Sequence, residues 1–342
     1  MALPPRDILV WGTGAIGGTV AAYLARAGHR ITCVDIAPTN REAIAGQGLR
    51  ISGPVDNFTA RVAVSGPDEL QGVWPIALVA VKAHHSRDAA TGLRGHLTAD
   101  ASVVTLQNGL SHVDIAEVVR PRRVYAGMVG FAADLLEPGH VRFGKRGDLV
   151  IGVPGASVDS RLEEIVSILR AFEPTAAASD GIEKALWGKL VFVAILYGTA
   201  LGQSPLAELL SDRTYLPLWH GLAHEVIGVA EAQGIAPDSF DDFETAVFRP
   251  ANATDAAWQC LLAVAKGTGP NAKPRSGMWR DLAMHKRRTE IDAQLVPIVA
   301  LGKRHGLPCR LLDRVCAMIH DVEAGRRVQS DDTLRELLAF AK

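Results

Sequence analysis

The sequence predicts an α/β domain with a doubly wound, mostly parallel sheet, followed by an all-α domain. Three observations carry that expectation. From Asp7 to about Gly152 short β-branched runs alternate with longer amphipathic stretches; a glycine-rich turn joins the first run to the first stretch; and beyond about Ser179 strand signals give way to long helical patterns. Near-continuous apolar strands separated by helices indicate a parallel sheet covered on both faces. The chain has 342 residues, enough for two domains, because single cores seldom grow far past about 250 residues. The change of pattern places the domains at 1–178 and 179–342.

Taken in order, the expected strands are Ile8–Trp11, Arg30–Asp35, Ile76–Val81, Ser102–Leu106 and Arg123–Val129. Between them lie the helical stretches Ala15–Ala27, Arg41–Gly46, Ser86–Leu97 and His112–Arg120. Phe131–Leu136, Val141–Phe143 and Leu149–Val153, separated by Glu137-Pro138-Gly139 and Gly144–Gly147, read as a terminal antiparallel meander. A helix at Ser160–Phe172 and a short strand at Thr175–Ala178 close the domain. In the second half the expected helices are Ile182–Leu201, Tyr215–Gln233, Asp255–Lys266, Thr289–His305 and Leu311–Glu323, with Gly-then-Pro stops at Gly234–Pro237 and Gly306–Pro308.

Composition narrows the function classes. Hydrophobic residues make up 48% and charged residues 21%, with a formal net charge of −1, so no global field steers the chain to nucleic acid or an anionic membrane. The longest apolar stretch, Leu190 to Ala200, is too short to span a bilayer. Cys33, Cys260, Cys309 and Cys316 are scattered and form no C-x-x-C pair. Free thiols in a reducing cytoplasm fit that spacing better than a disulfide or zinc framework. With no secretory signal read at the N-terminus, a cytoplasmic location is expected.

The strongest motif is Gly12-Thr13-Gly14-Ala15-Ile16-Gly17, directly after a strand and opening a helix. Gly12 permits the tight turn, Gly14 lets backbone approach a pyrophosphate, and Gly17 lets helix and strand pack closely, while the helix N-terminus attracts phosphate charge. A bare G-x-G-x-x-G is a weak signal, but here the preceding strand, the following helix and an acid ending the next strand agree. They predict a Rossmann dinucleotide site. Asp35 lies 21 residues after Gly14, where a carboxylate accepts ribose hydroxyls and repels a 2′-phosphate. Its bland reading is a turn residue before Ala37-Pro38. NAD(H) is favoured; Arg41, the nearby cation, keeps NADP(H) open. The active site is expected in the cleft between the two domains.

Several residues carry candidate chemistry. Lys189, in Trp187-Gly188-Lys189-Leu190, is an ammonium on an otherwise apolar helix. Burial lowers a lysine pKa and makes it a proton donor near neutrality; the alternative is a surface lysine snorkelling over apolar neighbours. Glu290 follows Thr289, which with Asp292 forms a plausible capping box. Asn108, in Gln107-Asn108-Gly109, and Lys82, after Val79-Ala80-Val81, end strands where open α/β sheets bind ligands, or form ordinary turns there. His84 and His85 lack partners at metal-ligand spacing, so no metal is expected. The stretch Lys273–Asp281, with Ser276 and Gly277, reads either as a loop presenting cations and N–H groups to a carboxylate or as a solvated charged loop.

Together these residues resemble the ketopantoate reductase family. The resemblance rests on GTGAIGG, VAVKA at Lys82, LQNGL at Asn108, ALWGKL at Lys189, HEV at Glu225, and SGMWRDL followed by RRTEID at Glu290, in order over roughly 280 residues. It implies a Rossmann domain coupled to a helical domain resembling that of 6-phosphogluconate dehydrogenase, and hydride transfer from a nicotinamide to a 2-oxo acid. It further implies Lys189 as general acid, Glu290 holding the substrate hydroxyl and the lysine, and Asn108 and Lys82 lining the cleft between substrate and nicotinamide. The family's two asparagines after the lysine are replaced by Val193 and Tyr197, and its substrate serine aligns with Gly277, or with Ser276 after a shift of one. The NADPH arginine is replaced by Ile36 beside Asp35. These changes keep the hydride machinery and alter the substrate shell, which points away from ketopantoate itself. A small oxo or hydroxy acid is the expected partner, and a homodimer is expected because helical second domains of this kind often mediate one. Two other readings are an opine-type reductive amination dehydrogenase, which adding amino acids to an oxo-acid assay would separate, and a non-catalytic dinucleotide sensor; retention of both Lys189 and Glu290 argues against the sensor.

Overall fold

The computed structural model describes residues 4–120, 124–267 and 275–341. Arg123, Lys273 and Pro274, which fall in the stretches read above, lie outside the described residues. The chain divides into two compact units, Met1–Ile182 and Glu183–Lys342.

The first unit runs β1 (Asp7–Trp11), α1 (Ala15–Arg26), β2 (Arg30–Val34), α2 (Pro38–Gln47), β3 (Leu49–Ser52), β4 (Phe58–Ala60), β5 (Ala63–Ser65), β6 (Trp74–Val79), α3 (Ser86–Leu93), β7 (Leu97–Thr105), α4 (His112–Val118), β8 (Val124–Val129), β9 (Ala132–Glu137), β10 (His140–Lys145), β11 (Leu149–Gly152), α5 (Ser160–Leu169) and β12 (Ala177–Ser179). Its main sheet has the order β12-β11-β8-β7-β6-β1-β2-β5. The pairs are parallel except β11 with β8. Strand β1 shows why such strands read as unbroken apolar runs. Ile8 and Val10 enter one core cluster while Leu9 and Trp11 enter another on the opposite face, so none of these four positions faces water.

The expected terminal meander is not formed. β9 and β10 do make an antiparallel pair, but β10 then takes β3 as a parallel neighbour, closing a second sheet of order β4-β3-β10-β9, and β11 returns to the main sheet beside β8. The physical reason is α1, which packs against both sheets and is buried continuously from Gly17 to Leu24. A helix apolar all round needs cover on both sides, and the small sheet supplies the second cover. A Cβ on Gly18 would stand 3.4 Å from Val141 and 3.6 Å from Leu49, side chains of the small sheet. Tyr23 fastens the same side, meeting Phe58, Phe143 and Phe172 edge-on at 5.0, 5.8 and 5.3 Å between ring centroids.

The second unit is helical among its described residues: α6 (Ile182–Ala200), α7 (Leu206–Ser211), α8 (Leu216–Glu231), α9 (Asp255–Gly267), α10 (Gly277–Ala283), α11 (Ile291–Gln294), α12 (Val296–Arg304), α13 (Arg310–Glu323) and α14 (Asp331–Phe340). The single helix expected over Thr289–His305 is two helices, with Pro297 in the first turn of α12, where its missing N–H breaks no bond. Helix α6 is buried nearly all round, as its apolar sequence demands. Among the described residues no helix is long and apolar enough to cross a membrane.

Candidate active site

The glycine turn of the first unit has three glycines with three different duties. Gly12 adopts φ +98° and hydrogen-bonds Val34, and a Cβ there would meet Val81 N at 2.8 Å. Gly17 lies so close to the turn that its Cβ would fall 1.9 Å from Gly12 O and 3.0 Å from the Ala80 Cβ. Gly14 is the opposite case: it N-caps α1 at φ −72°, and a Cβ would meet nothing within 4 Å. Backbone amides at the start of α1 therefore face space that a side chain would fill, which is what a pyrophosphate needs. These residues fit a dinucleotide.

Asp35 follows β2 and does more than either reading of it alone proposed. Its Oδ2 accepts from the backbone N and the Oγ1 of buried Thr13, at 3.1 and 2.9 Å, and from Asn40 Nδ2 at 2.9 Å. Its Oδ1 accepts from Ala37 N at 2.8 Å, the turn bond that Asp makes before a helix. One carboxylate oxygen thus latches the glycine turn while the other has a single partner. Asn40, missed in the sequence, couples this latch to the small-sheet hairpin by accepting from Gly139 N at 2.8 Å. Arg41 donates to the carbonyls of Asp35 and Ile36. Ile36 itself is 69% exposed.

Lys82 and Asn108 follow β6 and β7 at the same carboxyl edge of the sheet as the turn, and both are partly buried. Gln107, also missed, ties their loops: its amide nitrogen donates to Val81 O at 3.0 Å and to Ser86 Oγ at 2.8 Å. Gly109 at φ +80° makes the Asn-Gly turn, and Ser111 Oγ donates to Asn108 O. The rings of His84 and His85 meet edge to face, 4.3 Å between centroids.

In the second unit α6 carries Lys189 partly buried among apolar neighbours. Desolvation pulls its pKa down to about 8, against the charges of Asp241 and Glu290, which raise it. A snorkelling surface lysine would not show this, because its head stays in water. Glu290 sits at the entry to α11, and the capping box expected around it is absent. Thr289 instead donates backbone N and Oγ1 to Glu323 Oε1, each at 2.7 Å, and Asp292 pairs with His320 at 2.8 Å. Upstream, Arg287 is fixed on buried Asp281 at 2.6 Å. The segment that presents Glu290 is therefore pinned at both ends. Tyr197 is fully buried, and its phenol is pushed well above its ordinary pKa by burial and by the Glu290 charge. Thr289 lies beside its hydroxyl, yet no described group completes a hydrogen bond to it.

Lys189, Tyr197 and Glu290 are thus brought together, with Glu290 in electrostatic range of both. Ser276 N-caps α10 by accepting from Trp279 N at 3.1 Å and faces a small recess with Thr199, Ser204, Arg275 and Trp279. Gly277 is exposed. Glu225 of the HEV motif caps α13, accepting from Leu311 N and Leu312 N at 2.9 and 2.8 Å. Among the described residues no cluster of three or more His, Cys, Asp or Glu has metal-site geometry.

Two family models match this chain: Ketopantoate reductase PanE/ApbA over residues 8–155, and Ketopantoate reductase PanE/ApbA C terminal over residues 181–341. The chain belongs to the ketopantoate reductase family. It is an NAD(P)-dependent oxidoreductase. A 2-dehydropantoate 2-reductase of Mesorhizobium japonicum is 26% identical, over 93% of this chain and 98% of the relative. The crystal structure of a PanE/ApbA family ketopantoate reductase from Ralstonia eutropha JMP134 is 28% identical with a TM-score of 0.76, covering 94% of this chain and 99% of that one. D-mandelate dehydrogenase, solved with NADH and anilino(oxo)acetate, shares the fold at a TM-score of 0.80 and 21% identity, over 93% of this chain and 98% of that one.

Proposed function

We propose that this family member reduces a 2-oxo acid to the 2-hydroxy acid, with NADH as its preferred cofactor and Lys189 as proton donor. The observation that carries the reading is the Lys189 ammonium, desolvated to a pKa of about 8 and flanked by two carboxylates. At pH 7 such a group is about nine-tenths protonated, so it holds the proton and releases it readily. A dinucleotide held by its pyrophosphate at the glycine turn would supply the hydride from its nicotinamide. Lys189 then stabilises the developing alkoxide and neutralises it. Glu290, held by the Thr289–Glu323 clamp, keeps the ammonium aligned and accepts a hydrogen bond from substrate. Lys82 and Asn108, at the carboxyl edge of the sheet beside the glycine turn, would serve the cofactor. Val193, one turn past Lys189 on α6, is buried and apolar, and Tyr197 follows a turn later. That wall suits an apolar substrate side chain better than the hydroxyl of ketopantoate. NADH is favoured because the Asp35 carboxylate and the exposed apolar Ile36 stand at the end of β2, where a 2′-phosphate needs a cation.

The test is NADH oxidation followed at 340 nm against a panel of 2-oxo acids, with and without hydroxyl-bearing side chains. Turnover should be highest for apolar side chains and fall by roughly 10²–10⁴ in Lys189→Met. Full turnover in that variant would refute the role of Lys189.

A further inference from the structure

Helix α6 carries Lys184, Gly188 and Phe192 at successive i, i+4 positions, a single stripe beside Lys189. A segment distant in sequence lies along that stripe. Asp238 N donates to Lys184 O at 3.0 Å. A Cβ on Gly188 would fall 1.9 Å from Asp238 O, so the two backbones meet flush. The Phe192 ring packs on Phe243 and Phe240 at 4.9 and 6.1 Å between centroids. Phe240 and Phe243 exchange both backbone hydrogen bonds, at 3.1 and 2.9 Å, and so close a two-residue turn made of Asp241 and Asp242.

Asp241 occupies that tip at φ +43°, a left-handed conformation uncommon for a non-glycine residue. The surroundings impose it. Besides the contacts with α6, Thr245 donates its Oγ1 to Pro237 O at 2.9 Å and its backbone N to Ser239 Oγ at 3.2 Å, and Glu244 N donates to Cys260 Sγ. A strained residue over-determined by its neighbours is an indication of function.

We propose that Asp241 is a positioning residue for Lys189: the turn pinned to Gly188 and Phe192 holds its carboxylate toward the ammonium, on a different element from Glu290. The proposal rests on Lys189 being the proton donor. Two carboxylates from separate elements orient the ammonium better than one, and they leave Glu290 available to substrate. Of the two charges that oppose the desolvation of Lys189, Asp241 acts the more strongly.

The test uses the full-length protein labelled at lysine Cε with ¹³C, the Lys189 signal being assigned by its loss in Lys189→Met. Asp241→Asn removes the charge and keeps a side chain that tolerates left-handed backbone. The Lys189 titration midpoint should fall by about half a pH unit or more in Asp241→Asn, and Asp241→Glu should restore part of the shift. A fall of half a unit halves the protonated fraction at pH 8, so 2-oxo acid reduction should drop about twofold there and little at pH 6, with KM steady. Asp242→Asn should move neither readout. An unmoved midpoint and pH profile in Asp241→Asn, or an equal shift in Asp242→Asn, would overturn the assignment. Persistent turnover in Lys189→Met would instead sink the proton-donor reading, and the titration would still decide where Asp241 acts.

Discussion

Replacing Gly14 and Gly17 by alanine, one at a time, separates what the glycine turn does for the fold from what it does for the dinucleotide. At Gly17 the new methyl would lie 1.9 Å from Gly12 O, more than an ångström inside contact distance. Gly12 cannot retreat, because it abuts Val81 and Ala80 itself. Overpacking of this kind costs about 1–3 kcal/mol or more, and the better helix propensity of alanine offsets about 1 kcal/mol of it. At about 2–4 °C per kcal/mol for a unit of this size, the melting temperature should fall by several degrees. At Gly14 the methyl meets no protein atom within 4 Å and φ is −72°, which alanine adopts freely. Losing glycine at the cap costs up to about 1 kcal/mol, and the stiffer unfolded chain returns about 0.4–1 kcal/mol. Stability should therefore stay within about 0.5 kcal/mol, while the methyl occupies the approach to the α1 amides. The Kd for NADH should rise roughly 10–100-fold, equivalent to about 1.4–2.7 kcal/mol. Thermal melts without ligand and NADH fluorescence titrations on both variants give the readout. Undiminished NADH binding by Gly14→Ala would refute the turn as the pyrophosphate site, and an unchanged melt of Gly17→Ala would refute the packing argument.

Two further outcomes follow from the charges. Because the folded-state pKa of Lys189 is lowered to about 8 from 10.5, folding is opposed by charging this lysine below pH 8, and that cost disappears as pH rises from 8 to 10.5. Lys189→Met should accordingly be more stable than the unmutated protein at pH 7, by up to about 3 kcal/mol because the value of about 8 already contains the relief given by Asp241 and Glu290, with the advantage gone near pH 10.5 in urea melts. Asp35→Ala strips acceptors from four donors, two of them on buried Thr13. It should lower stability by about 1–3 kcal/mol, weaken both cofactors and narrow the preference for NADH; an unchanged melt would show that the latch contributes nothing.

The sequence determined by itself whatever its neighbours along the chain could enforce. The glycine turn, the five central parallel strands and the long second-unit helices were legible because backbone conformation and apolar periodicity are local. The small sheet was not. β3 is four residues long and pairs with β10, Arg50 opposite His140, so only α1's need for cover on its second side made it a strand. The same holds for Lys189. Its sequence neighbours allowed a solvated lysine as readily as a proton donor, because burial and charge act through space. Asp241 and Glu290 lie 52 and 101 residues further along the chain. Their fields and the apolar packing of α6 give the ammonium its character, and only the folded second unit brings them within range.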